Sequence, residues 1–176
     1  MNVAVFLGAS TGNDPIFMKE VYELGQCIGS NGHTLIYGGS ESGLMGAVAK
    51  GTLDAGGEVI GIEPQMFIDM GYEYDAISKL IITKDMPERK SKMIEMSDLF
   101  ITFPGGTGTL DELSEVMTLL SLDQTKAPLY IYNLNGYYEG LRIQLEHMIK
   151  MGLADRAKLN NVFFIDSFEE LKKVLS

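Results

Sequence analysis

The chain of 176 residues has no tryptophan, only two histidines and a single cysteine. One cysteine cannot form an intrachain disulfide, so the fold must hold by packing, and a reducing, cytoplasmic setting is expected. Cys27 falls inside an amphipathic helical pattern and reads as a small core residue, not a nucleophile. Positive charge is scarce: 14 Lys and Arg stand against 24 Asp and Glu, a net charge of -10. With no basic cluster to offset that field, DNA and RNA are excluded as expected partners. No apolar run approaches the ~20 residues needed to span a bilayer, so no membrane partner is expected. The opening residues Met1 to Gly8 lack a basic leader and read as a first strand instead of a signal peptide. No group of His, Cys, Asp and Glu has metal-ligand spacing, and no metal or other cofactor is expected.

Short runs of Val, Ile, Leu and Phe are present and alternate with helical periodicity from end to end. They predict strands near 2–8, 33–38, 58–62, 79–84, 98–103, 128–133 and 161–165. Helices are predicted near 15–30, 43–56, 86–97, 108–122, 137–151 and 167–175, with bounds good to about 2–4 residues. This is the pattern of successive βαβ units: an α/β, single-domain, Rossmann-like fold over 1–176, with a mostly parallel sheet of about seven strands flanked by helices. Segment 63–78 lacks periodicity and reads as a loop with a short helical piece, of the length of lids and specificity elements.

Glycine is abundant, and its placement is informative. Gly8-Ala9-Ser10-Thr11-Gly12 follows the first strand, Gly38-Gly39-Ser40-Glu41-Ser42-Gly43 the second, and Pro104-Gly105-Gly106-Thr107-Gly108-Thr109 the fifth. In a parallel sheet the carboxyl ends of the strands share one edge, so all three turns are expected to converge on one ligand. Exposed backbone N–H groups, hydroxyls and helix N-termini there suit a phosphate. Any one such turn is also an ordinary connector, so the signal lies in the set. G-x-x-x-x-G-K-[ST] is absent, which excludes a P-loop, and the second strand ends without the acidic residue a dinucleotide site requires.

Gly8-Ala9-Ser10-Thr11-Gly12 also fits a serine nucleophile elbow. Such an enzyme needs a downstream histidine, and His33 and His147 lie at the opposite sheet edge and within a helical pattern. Two charged groups flank the fifth strand. Arg89 and Lys90 open one helix, against its dipole, and an anionic ligand would explain them there. Asp111 and Glu112 follow the third turn, where one carboxylate would reach the ribose of a nucleotide whose phosphate sits in the turn. That arrangement suits hydrolysis of an N-glycosidic bond.

Gly8-Ala9-Ser10, Tyr37-Gly38-Gly39-Ser40 with Gly43-Leu44-Met45-Gly46, Met86-Pro87-Glu88-Arg89-Lys90 and the P-G-G-x-G-T-x-x-E run from Pro104 to Glu112 together resemble the Lonely Guy family. The resemblance spans nearly the whole chain. It implies a cytokinin riboside 5′-monophosphate phosphoribohydrolase, which splits an adenine-type nucleotide such as AMP into free base and ribose 5-phosphate. It places catalytic roles on Arg89 and Glu112. It places nucleotide binding on Lys90, Gly105, Gly106, Thr107, Gly108 and Thr109 and a substrate contact on Thr118, to which the glycine turns themselves add Gly8, Ser10, Gly39, Ser40, Gly43, Met45 and Pro104 as substrate-binding candidates. It implies a homodimer whose sites border the interface, and it implies that the label lysine decarboxylase, common in this family, is mistaken. Pro87, Ser40 and the run Glu63-Pro64-Gln65-Met66 depart from the common family pattern. The competing reading is a non-catalytic nucleotide or cofactor carrier on the same fold, which would keep the phosphate turn without needing Glu112.

Overall fold

A computed structural model describes residues 1–176. Its seven strands are β1 (Asn2–Phe6), β2 (Thr34–Tyr37), β3 (Glu58–Pro64), β4 (Lys79–Thr83), β5 (Leu99–Thr102), β6 (Leu129–Tyr132) and β7 (Val162–Ile165). They form one sheet in the order β4-β3-β2-β1-β5-β6-β7, and every pairing is parallel. The helices are α1 (Pro15–Ser30), α2 (Gly43–Asp54), α3 (Gln65–Ile68), α4 (Met86–Glu95), α5 (Thr107–Ser121), α6 (Glu139–Lys150) and α7 (Phe168–Val174).

Period-two alternation sorts the strand residues into two cores. Val3, Val5 and Leu7 point with Leu35, Tyr37 and Ile101 to one face, where α1, α2 and α7 cover them. Ala4, Phe6, Ile36 and Phe100 point to the other, under α4 and α5. Both faces being covered explains why β1, β2 and β5 are near-continuous apolar runs.

The helices α1 and α2 pack backbone to backbone. A Cβ on Gly25 would lie 2.2 Å from the Val48 carbonyl oxygen, and one on Gly51 would lie 2.2 Å from that of Tyr22. No side chain fits either place, so these glycines set the interhelical distance.

The strand order reverses between β1 and β5, where strands are added outward in opposite directions. That junction is the switch point at which open α/β sheets bind ligands. The first and third glycine turns leave the neighbouring ends Phe6 and Thr102, which are register partners.

Candidate active site

A cleft of about 700 Å³ opens at the carboxyl ends of β1 and β5. Its floor is two glycine turns pressed together. Gly8 and Gly105 stand back to back, and a Cβ on Gly105 would meet Thr109 Oγ1 at 2.2 Å and the Gly8 nitrogen at 2.8 Å. The third turn is tied down from outside: the Tyr137 hydroxyl donates to the Gly105 carbonyl at 2.6 Å and that of Tyr138 to the Phe103 carbonyl at 2.9 Å. Phe17 meets Phe103 and Tyr137 edge to face, closing one wall.

The helix starts around the cleft differ in what they leave free. At α1, Asp14 accepts from the Ile16 N–H. At α5 the cap is Gly106, with no side-chain hydrogen bond. The first amides of α5 therefore point into the cleft unpaired, with the positive end of the dipole behind them, which is the chemistry an anion takes. Pro104 to Thr109 all line this end.

Beyond the turn lies a buried ion pair. Arg89 Nη1 donates to Glu112 Oε1 at 2.6 Å, and Arg89 Nε donates to the Ile62 carbonyl at 3.1 Å. Both side chains line the cleft, yet both are buried. Burial pushes the Glu112 carboxyl above its ordinary range, opposed by the Arg89 charge. Glu112 is five residues into α5 from Thr107, roughly 7–8 Å along the axis, a span that fits the distance from a ribose 5-phosphate to its anomeric carbon.

The sequence-predicted residues separate into two groups. Gly8, Ser10, Met45, Arg89, Pro104, Gly105, Gly106, Thr107, Gly108, Thr109 and Glu112 are brought together around the cleft. Gly39, Ser40, Gly43, Lys90 and Thr118 are not among its lining residues. The second turn follows β2, one strand away from the switch point, and spends its groups on the protein: Ser40 Oγ accepts from the Ser42 N–H, and Ser40 bridges to Glu73. From that region Leu44 and Met45 reach the cleft instead. Lys90 lies 2.8 Å from Asp111 and 2.7 Å from Glu115. Thr118 is exposed and donates to the Ser114 carbonyl.

The basic start of α4 is balanced from within the protein as well. Asp85 accepts from the Glu88 N–H, Glu88 accepts from that of Lys84, and the carboxylates of α5 neutralise Arg89 and Lys90. Sequence reasoning did not assign Phe17, Phe67 or Tyr137 to the cleft. Phe17 stands in the first turn of α1, directly after the first glycine turn, the one signal available for it.

Neither histidine lines the cleft, so Ser10 has no imidazole base there. His33 Nε2 lies 2.9 Å from the Leu175 carbonyl, at the far edge of the sheet. No lysine lines the cleft, which leaves pyridoxal phosphate without a Schiff-base partner.

The family described as "Possible lysine decarboxylase" matches residues 45–175. A probable cytokinin riboside 5′-monophosphate phosphoribohydrolase of Oryza sativa subsp. japonica is 33% identical over 96% of this chain and 74% of its own. The cytokinin riboside 5′-monophosphate phosphoribohydrolase of Rhodococcoides fascians is 34% identical over 96% and 85%. Its counterpart LOG1 of Arabidopsis thaliana is 32% identical over 98% and 81%. Among solved structures, the molybdenum cofactor binding protein of Rippkaea orientalis superposes with a TM-score of 0.73 at 24% identity, covering 99% of this chain and 94% of its own. That likeness shows the fold alone.

Proposed function

The chain belongs to the Lonely Guy family of cytokinin riboside 5′-monophosphate phosphoribohydrolases, and from that premise we propose that it hydrolyses the N-glycosidic bond of adenine-type nucleoside 5′-monophosphates. The observation that carries this is the Arg89–Glu112 pair, buried in the cleft one helix turn beyond an uncapped, glycine-lined α5 start.

In this reading the 5′-phosphate sits on the α5 amides and the Thr107 and Thr109 hydroxyls, and Arg89 holds the sugar-phosphate. The bond between C1′ and the base nitrogen breaks as positive charge grows on the ribosyl centre. Glu112 stabilises that charge and orients the water. The water gives its hydroxyl to C1′ and its proton to the departing base, yielding free base and ribose 5-phosphate. Loss of water from the cleft strengthens each of these interactions.

A carrier on the same fold is the second reading, since the fold by itself does not decide between binding and turnover. It has no use for a buried, substrate-facing carboxyl, whereas the hydrolase needs one. Incubation with AMP separates the two: base and ribose 5-phosphate appear for the hydrolase, and nucleotide is bound and recovered intact for the carrier.

The same reading takes the protein as a homodimer. Support comes from α5, whose Val116 and Leu120 are buried in the core while Leu110, Thr118 and, just past its end, Leu122 are exposed. Sedimentation at a mass of about twice 19.4 kDa is the expected outcome.

A further inference from the structure

One buried acidic group near the cleft takes no part in that scheme. Glu63, the penultimate residue of β3, is 2% exposed, and its Oε2 has no hydrogen-bond partner. It sits beside Arg89. Gly38 and Gly39 each hold one of the two side chains: a Cβ on Gly38 would lie 2.4 Å from Arg89 Nη2, and one on Gly39 would lie 3.0 Å from Glu63 Oε2. Arg89 is also anchored through Nε to the carbonyl of Ile62, the residue before Glu63. Glu63 itself does not line the cleft.

We propose that Glu63 is a positioning residue for Arg89, its carboxyl acting behind the guanidinium to set how much of that positive charge is presented to the substrate phosphate. This rests on the phosphoribohydrolase reading and concerns a residue that reaches the substrate only through Arg89.

The physical case is a charge balance. With Glu63 uncharged, Arg89 and Glu112 cancel, and the site accepts a phosphate dianion on the α5 amides without net repulsion. With Glu63 ionised, a second carboxylate draws on the same guanidinium and the site carries net negative charge. The groups that face Glu63 are Arg89 from α4 and Glu73 from the segment after α3. At the end of β2 lies Tyr37, whose hydroxyl is itself unpartnered and in the fields of Glu63, Tyr74 and Glu41. Burial, the largest effect, pushes the Glu63 carboxyl up to about 7 against the pull of Arg89, and Glu73 adds a smaller push in the same direction as burial. The change of charge therefore falls where the enzyme works.

The test is kcat and KM for AMP between about pH 6 and about pH 9, in the full chain and in Glu63→Gln. For the unaltered protein KM is expected to rise roughly tenfold from the neutral to the alkaline end, with kcat changing much less. In Glu63→Gln that alkaline rise should vanish, while the acid limb from the substrate phosphate, with a second pKa near about 6, stays. Glu73→Gln, at a half-buried position, removes the like charge and should move the rise to lower pH. Parallel KM profiles in all three proteins would overturn the proposal. If no base is released at any pH, calorimetric AMP affinity over the same range makes the same comparison, so failure of the hydrolase reading is seen separately from failure of the Glu63 role.

Discussion

Glu112 and Arg89 satisfy each other in a place water barely reaches, so the two halves of the pair are unequal under substitution. Removing a partner and leaving the other charge buried typically costs about 3–5 kcal/mol. Glu112→Ala should therefore lose both turnover and stability. Glu112→Gln keeps an acceptor for the Arg89 N–H but not its countercharge, and should recover part of that stability while base release falls by at least ~100-fold, measured by chromatography beside a thermal melt. Glu63 makes a separate stability prediction. Its carboxyl is raised in the folded protein to about 7, against about 4.3 in an unfolded chain. The folded state then holds the extra proton, so this contribution is complete below the unfolded value and is lost as pH rises through 7. Glu63→Gln should melt several degrees higher than the unaltered chain at about pH 8 and show little advantage at about pH 4. A gain that is the same at both would contradict the assignment.

At the scale of elements, the contact between α1 and α2 depends on absent side chains. Gly25→Ala places a methyl group against the Val48 carbonyl, and overpacking of this kind costs about 1–3 kcal/mol. Denaturant unfolding should show that loss, with AMP turnover at low temperature preserved because neither helix supplies the ion pair. The elements themselves were legible in the sequence. Predicted 15–30 and observed Pro15–Ser30 agree because Pro15 and the Asp14 cap mark the helix start. Segment 63–78 reads as a loop with a short helical piece, and α3 is that piece; β3 runs two residues past the expected 62, inside the stated bounds, because Glu63 and Pro64 still pair with Ile82 and Thr83 on β4. A buried glutamate at a strand end gives no apolar signal, so that extension was invisible. The second glycine turn shows the other limit. Its composition matched the phosphate turns, but composition does not say which strand neighbours the switch point, and β2 is one place removed.

For the molecule as a whole, strand order concentrates chemistry at one edge. The turns after β1 and β5 meet there, α5 starts there, and α4 brings Arg89 in from beyond β3. The net charge of -10 opposes binding of a polyanion, and in the proposed reading one small dianion is taken by local amides. Binding to the folded state alone stabilises it, so AMP at ~100 times its dissociation constant should add about 2.7 kcal/mol and raise the melting temperature. Loss of that shift in Gly105→Ala, where the new methyl group meets Thr109 and the Gly8 nitrogen, would tie it to the phosphate turn. The central claim is tested most directly by incubating the protein and Glu112→Gln with AMP and with isopentenyladenosine monophosphate, following free base and ribose 5-phosphate. Equal molar release of both products by the unaltered chain, and not by the variant, is the predicted result. Tight nucleotide binding with no release from either substrate would contradict it.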